Sequence, residues 1–368
     1  MIRVLHIVGK MDRAGAETML MNLYRNIDRS EIQFDFVTFT NQEGDYDAEI
    51  IRLGGRIIPI LANTPIKRMF KLQKFLRQNP EYKIVHAHTL LSNAFHLLAA
   101  KGAGIKNRIS HAHSTSNGQS NTARKIYEKW ALVTNNRLAT QKIACGQQAA
   151  EYLFGTSEGV WILPNAVDIK KMVTVANQSR DYISQEFNDN DIKILQIGRL
   201  NEVKNHQFSI EIAEELKGRD IDFTIYFVGQ GPLENALKKQ VKKRNLEDKI
   251  VFLGLRTDIT ELMASADYMI MPSLHEGFPV VLVESQVNAL KAIVSDEVSN
   301  EVDFNLGLVE FLSLNSVKDW ANRLLQSDRP RPNHKEILEV LEQRGFNVIS
   351  SAKKLSKFYK NSITLNHI

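Results

Sequence analysis

Tyr268-Met269-Ile270-Met271-Pro272-Ser273-Leu274-His275-Glu276-Gly277-Phe278-Pro279-Val280-Val281-Leu282-Val283-Glu284 reads as a strand, a loop and a helix start. Tyr268–Met271 is a short apolar run of strand length. Pro279 suits the first turn of a helix, which places Glu276 in the loop and Glu284 within the helix. One carboxylate can then reach a ligand at the helix N-terminus while the other reaches further along it. Carboxylates accept hydrogen bonds from vicinal diols, so sugar and ribose hydroxyl pairs are natural targets.

The same strand-to-helix unit recurs in both directions. Upstream in this half, strands are expected at Lys193–Ile197, Phe223–Val228 and Ile250–Leu253, with helices at His206–Lys217 and Pro232–Lys243 between them. In the first half, strands are expected at Arg3–Val8, Gln33–Phe39, Arg56–Ile60, Ile84–Ala87, Arg108–Ala112 and Lys142–Ala144. Ala16, Met19, Leu20, Leu23 and Ile27 follow the helical period between the first two. Alternation of this kind is the pattern of parallel α/β architecture, and 368 residues suit two domains. The boundaries drawn are 1–168, 169–345 and a returning C-terminal helix at 346–368. Pro164–Asp168 reads as a turn, the polar stretch Gln178–Asp191 follows it, and Asn333–Tyr359 looks helical.

Composition narrows the class. With 43% hydrophobic and 24% charged residues the chain is globular, not disordered. Its one cysteine, Cys145, excludes an internal disulfide and suits a reducing cytosol. The N-terminal run Ile2–Gly9 reads as a strand, not a signal peptide, and no apolar stretch approaches the ~18 residues of a membrane span. Residues 1–168 carry 21 Lys and Arg against 14 Asp and Glu, the remainder 26 against 28. A basic first half points to an anionic partner. Its densest run is Lys67, Arg68, Lys71, Lys74 and Arg77, with the apolar face Met69, Leu72 and Leu76 opposite. That is the layout of a basic amphipathic helix able to lie on anionic lipid, and equally that of a solvated surface helix. No aromatic platform accompanies the charge, so nucleic acid is not an expected partner.

Ligands of open α/β sheets bind beyond the carboxyl ends of the strands, so the loops there matter. Gly15 stands where the first strand turns into a helix, a place where free backbone N–H groups favour an anion. After Lys193–Ile197 the loop Gly198-Arg199-Leu200-Asn201-Glu202-Val203-Lys204 supplies two fixed cations suited to a diphosphate. Gly229-Gln230-Gly231-Pro232 follows the next strand, its glycines allowing either close ligand approach or a plain turn. His86-Ala87-His88 and His111-Ala112-His113 are two H-x-H pairs whose side chains share a strand face. They could hold a zinc, but no acid lies nearby in sequence to complete a familiar set, and no metal is expected.

Taken together, Arg199, Lys204, Gly229-Gln230-Gly231-Pro232, Glu276-Gly277-Phe278-Pro279 and Glu284 resemble the GT-B glycosyltransferases of family 4, the large retaining group, and most closely the branch that builds capsular and exopolysaccharide repeat units. The resemblance spans nearly the whole chain. It implies two Rossmann-like domains facing across a cleft, with the C-terminal helix returning to the acceptor-side N-domain and the nucleotide sugar on the C-domain. It implies that Arg199 and Lys204 neutralise the donor diphosphate, Glu284 holds the ribose and Glu276 the donor sugar. Backbone groups of Phe278, Pro279 and Val280 would contact phosphate or sugar, with Gly229 and Gly231 alongside and Gly15 on the phosphate side. His113 matches the family's histidine near the reacting face of the sugar. One departure is Ala289-Leu290-Lys291-Ala292, where the family commonly shows a glycine and a proline.

The expected activity is transfer of a hexosyl unit from a nucleotide diphosphate sugar, a UDP-sugar by preference, to a glycan or lipid-linked acceptor. The expected configuration is retained, no cofactor is required, and the setting is cytoplasmic, peripheral on the inner membrane face. A UDP-sugar epimerase of the same fold is distinguished by product formed without acceptor. A non-catalytic partner subunit of a membrane glycan-assembly complex need not keep Arg199, Lys204, Glu276 and Glu284.

Overall fold

In the computed structural model the chain forms two compact units, Met1–Asp168 with Gly345–Ile368, and Ile169–Arg344. The structure describes residues 1–114, 122–187, 191–276, 278–326 and 333–364; Gly277 of the glutamate motif and residues 188–190 of the polar stretch lie outside them.

The first unit holds a seven-stranded sheet: β1 (Ile2–Gly9), β2 (Ile32–Thr38), β3 (Arg56–Pro59), β4 (Ile84–Ala87), β5 (Asn107–Ala112), β6 (Gln141–Ala144) and β7 (Trp161–Ile162). Their order is β3-β2-β1-β4-β5-β6-β7 and every pairing is parallel. The chain winds outward from β1 to β3, then returns to the other side of β1 as β4. That reversal leaves a switch point, where ligands of such sheets bind, at the carboxyl ends of β1 and β4.

The second unit repeats the plan with six parallel strands: β8 (Ile192–Ile197), β9 (Phe223–Val228), β10 (Ile250–Gly254), β11 (Tyr268–Met271), β12 (Ala292–Ser295) and β13 (Val309–Leu312). The order β10-β9-β8-β11-β12-β13 puts its switch point between β8 and β11.

Both faces of each sheet are covered, which is why the strands read as near-continuous apolar runs. Along β9, Phe223, Ile225 and Phe227 enter one core with Trp320, and Tyr226 and Val228 enter the other with Met269 and Met271. In the first unit Leu163, Val348, Ala352, Leu355 and Tyr359 join Val4, Phe34 and Phe36. The helix Val348–Thr364 is therefore part of that unit's core.

Where structure and sequence reading differ, local geometry gives the reason. The expected helical stretch Asn333–Tyr359 is two helices, His334–Gln343 and Val348–Thr364, broken at Gly345 with φ +83°. The helix expected from Pro232 begins at Glu234: Glu234 N–H closes a turn on the Gly231 carbonyl at 3.2 Å, and Leu237 N–H on the Leu233 carbonyl at 2.9 Å makes the first helical bond. In the polar stretch, Tyr182–Phe187 is a helix with Ile183 buried in the second unit's core.

Candidate active site

The switch point of the second unit brings together two of the expected site residues. Lys204 follows β8 and Glu276 follows β11, and Lys204 Nζ lies 2.7 Å from Glu276 Oε1, each side chain about four-fifths buried at 18% and 19% exposure. Backbone bonds fix the loops: Leu274 N–H donates to the Val203 carbonyl at 2.8 Å, and Gln196 Nε2 donates to the Lys204 carbonyl at 2.8 Å. Ser299 N–H donates to the Glu276 carbonyl at 3.1 Å, anchoring the far side. Arg199, on the same loop as Lys204, is exposed and makes no ion pair among the described residues.

The glycines serve the crossing of these loops. A Cβ on Gly229, at φ +138°, would lie 2.1 Å from the Gly198 carbonyl oxygen, and one on Gly231 would lie 2.3 Å from that of Leu200. Only glycine lets the β8 and β9 loops touch backbone to backbone. A Cβ on Gly198 would press on the Lys204 stem at 3.0 Å, so that glycine lets the lysine run along the loop.

The helix Val280–Val287 starts without a side-chain cap, Pro279 occupying the N-cap. Pro279 is buried and has no N–H to offer, and its carbonyl accepts from Leu282 N–H at 3.0 Å. Backbone donors in this stretch are therefore those of Phe278 and Val280. Phe278 is partly buried against the core. Glu284, one face further along, is partly buried and has no partner for its carboxyl among the described residues. Burial raises its pKa from 4.5 to about 7. The helix closes with Leu290 N–H on the Ser285 carbonyl at 2.9 Å and Ala289 N–H on that of Gln286 at 3.1 Å. This is a Schellman motif, and Ala289 takes its left-handed position at φ +53°.

In the first unit, Gly15 opens the helix Gly15–Asn26, again without a side-chain cap. A Cβ there would meet nothing within 4 Å, so no packing demand explains the glycine. His113 lies just beyond β5 and belongs to a larger group than sequence spacing revealed. His6 Nδ1 is 3.0 Å from His88 Nε2, and His88 Nδ1 is 2.9 Å from His113 Nε2. His6 and His86 are register partners across the β1–β4 switch point. His111 lies against His113 with ring centroids 3.9 Å apart and planes tilted by 30°. Burial pushes His6 and His113 down to about 3, and His86, His88 and His111 well below the usual range. All five are neutral imidazoles.

A neutral imidazole has one N–H and one lone pair. Because both nitrogens of His88 are engaged, the tautomers of His6, His88 and His113 are coupled, all carrying their protons on Nε2 or all on Nδ1. His6 was missed because it sits inside the apolar run of β1. Tyr359, whose hydroxyl is 2.7 Å from His86 Nδ1, was missed because it arrives from the far end of the chain.

The sequence pattern described as Glycosyltransferase Family 4 matches residues 13–171, and that described as Glycosyl transferases group 1 matches residues 178–309. The protein named glycosyltransferase EpsF in Bacillus subtilis (strain 168) is 36% identical, over 99% of this chain and 98% of its own. An Escherichia coli protein named UDP-Gal:alpha-D-GlcNAc-diphosphoundecaprenol alpha-1,3-galactosyltransferase is 24% identical, over 94% of this chain and 96% of its own. Among solved structures, Anabaena Alr3699/HepE in complex with UDP and glucose superposes with a TM-score of 0.78, covering 98% of this chain and 100% of that one at 17% identity. On this full-length match and on two parallel-sheet units of shared plan, the chain belongs to the family 4 glycosyltransferases of GT-B fold.

Proposed function

We propose that this glycosyltransferase moves a hexosyl unit from a UDP-sugar to a hydroxyl of a lipid-linked glycan, with retained anomeric configuration, in the synthesis of a surface polysaccharide. The observation that carries the reading is the Lys204–Glu276 pair astride the β8–β11 switch point. A cation suited to a diphosphate and an acid suited to sugar hydroxyls stand in contact where a sheet of this kind takes its ligand. The Anabaena structure holds UDP and glucose. The E. coli relative is named for a UDP-Gal donor and a diphosphoundecaprenol-linked acceptor.

In this reading the bond between the anomeric carbon and the diphosphate oxygen breaks, and its electron pair stays with the diphosphate. Arg199 and Lys204 neutralise the charge that develops there. The acceptor oxygen attacks from the same face, and its proton passes to the departing phosphate. Glu276 holds donor-sugar hydroxyls and Glu284 the ribose diol. Because side chains supply the positive charge, the diphosphate needs no magnesium or manganese.

Among the described residues no helix is long and apolar enough to cross a membrane. The helix Pro65–Gln78 buries Leu72 and Leu76 and exposes Lys67, Lys71 and Lys74 together with Ile66 and Phe70, 57% and 59% exposed. Lysines interleaved with exposed apolar side chains suit anionic lipid, which supports a cytoplasmic enzyme docked on the inner membrane face.

The test is a thermal-shift screen of nucleotide sugars, followed by transfer to a synthetic polyprenyl-diphosphate sugar and NMR of the product anomer. A UDP-sugar should give the largest shift and the product should keep the donor's configuration. A larger shift with a GDP- or ADP-sugar overturns the base, an inverted product overturns retention, and donor conversion without acceptor favours the epimerase.

A further inference from the structure

The histidine group in the first unit contains more unmet polarity than packing explains. Among the described residues, His6 Nε2, His86 Nε2, both nitrogens of His111 and His113 Nδ1 are buried without a hydrogen-bond partner. Phenylalanine or leucine would fill the same layer without leaving a polar atom unmet. Orphaned buried groups in such number, gathered in one place, point to a partner that several imidazoles share.

We propose that His88, His111 and His113 bind a divalent transition metal of the zinc class. One ligand nitrogen from each lies within 4.8 Å of those of the other two. A tetrahedral zinc with bonds of ~2.0–2.1 Å needs its ligands ~3.3 Å apart, so small ring rotations close the set. His88 Nδ1 and His113 Nε2 are already 2.9 Å apart. Neutral imidazoles are the ligands that zinc, copper and nickel favour. The far nitrogen of His88 is held by His6 Nδ1 at 3.0 Å, the outer hydrogen bond that orients a ligating histidine.

A second trio, His6, His86 and His88, also converges. It competes for His88, and its His86, held at Nδ1 by the Tyr359 hydroxyl, keeps only Nε2 unmet among the described residues. The first trio has the freer nitrogens, both of His111, and its His113 is only partly buried, whereas the second trio is buried throughout. Residues 84–114 contain no Asp or Glu, and three neutral imidazole ligands would leave a dication's charge uncompensated. Its fourth position would favour water or an anionic oxygen.

The test uses the full chain, stripped of metal with a strong chelator and then given cobalt(II) or zinc(II) alone. One cobalt per chain, with the visible absorption of a four- or five-coordinate nitrogen-ligated ion displaced by zinc, is the expected result. His111→Ala should weaken zinc at least a hundredfold, and His6→Phe about 10–100-fold through lost orientation. If His111→Ala fails to fold by circular dichroism, His113→Gln replaces it. Absence of binding at micromolar zinc, or His111→Ala and His113→Gln binding as tightly as the parent, overturns the site. Neither readout depends on turnover, so the donor reading stands or falls separately.

Discussion

Lys204 and Glu276 belong to loops after neighbouring strands, and among the described residues their 2.7 Å contact is the one place where an expected cation and an expected acid of the site meet. Each satisfies the other until a ligand enters. Lys204→Ala should lower kcat/KM by roughly 10²–10³-fold, the usual result of removing one fixed donor to developing charge, and Arg199→Ala by a similar factor. The pair is about four-fifths buried, so Lys204→Ala, which leaves the Glu276 carboxylate without its cation, should also destabilise the second unit by ~1–3 kcal/mol, whereas the exposed Arg199 should leave its melting unchanged. Steady-state kinetics beside a thermal melt check both; undiminished turnover in both variants would falsify the diphosphate role.

Gly229 and Gly15 make a contrasting pair. In Gly229→Ala the new methyl would sit 2.1 Å from the Gly198 oxygen, so the β8 and β9 loops must part. Loss of several kcal/mol or insoluble protein is expected. Gly15→Ala meets open space and gains helix propensity of up to ~1 kcal/mol, so its melting point should hold or rise. If Gly15 lines the phosphate, the same variant should raise the donor KM. An unchanged KM would remove Gly15 from the site.

Glu284 gives a pH dependence of definite sign. Its folded pKa of about 7 lies above the ordinary 4.5. Protonation is thus favoured by the folded state, and stability falls as pH rises from 4.5 to about 7, then levels. The drop should be ~1–3 kcal/mol, and Glu284→Gln should abolish it and be the more stable protein above pH 7. UDP affinity should move the other way, strengthening as the carboxyl ionises to accept both ribose hydroxyls. Equilibrium unfolding and calorimetric titration across the window test the two halves; parallel pH profiles for parent and variant would refute the assignment.

Ala289 pays for its left-handed backbone. An L-residue there loses ~1–2 kcal/mol relative to glycine, partly offset by glycine's greater freedom when unfolded. Ala289→Gly should therefore stabilise the second unit by about 0.5–1 kcal/mol, raising Tm by a few degrees. A lower Tm would contradict the helix-closing geometry.

The exposed face of Pro65–Gln78 predicts salt-sensitive membrane binding. Replacing Lys67, Lys71 and Lys74 by Ala should cost ~1 kcal/mol for each lysine near an anionic surface. Ile66→Ser with Phe70→Ser should weaken binding without altering its salt slope. Co-sedimentation with vesicles of mixed anionic and neutral lipid measures both, and equal recovery on purely neutral vesicles would exclude the mechanism.

The strands were readable because two-sided burial makes them apolar throughout, and Ile84–Ala87, Phe223–Val228 and Tyr268–Met271 have the expected limits. β12 escaped notice because the turn before it has neither glycine nor proline, Ala289 carrying the positive φ instead. β7, at Trp161–Ile162, is too short to leave a periodic signal. Candidate site residues could be named one loop at a time, from the loops and helix starts that follow strands. Their partnerships were not: the Lys204–Glu276 pair depends on β8 and β11 being neighbours, and the His6–His88 contact on β1 and β4. Strand order is a property of the whole sheet, beyond the reach of local spacing.

The helix Val348–Thr364 completes a core begun at Val4, with the entire second unit inserted between. On the ribosome, the unit that emerges first must wait until synthesis ends for Leu355 and Tyr359 to cover Phe34 and engage His86. The inserted unit has all its strands before then and can finish sooner. Premature termination near Arg344 would thus release a chain whose later-made half is sound and whose earlier-made half is unsealed.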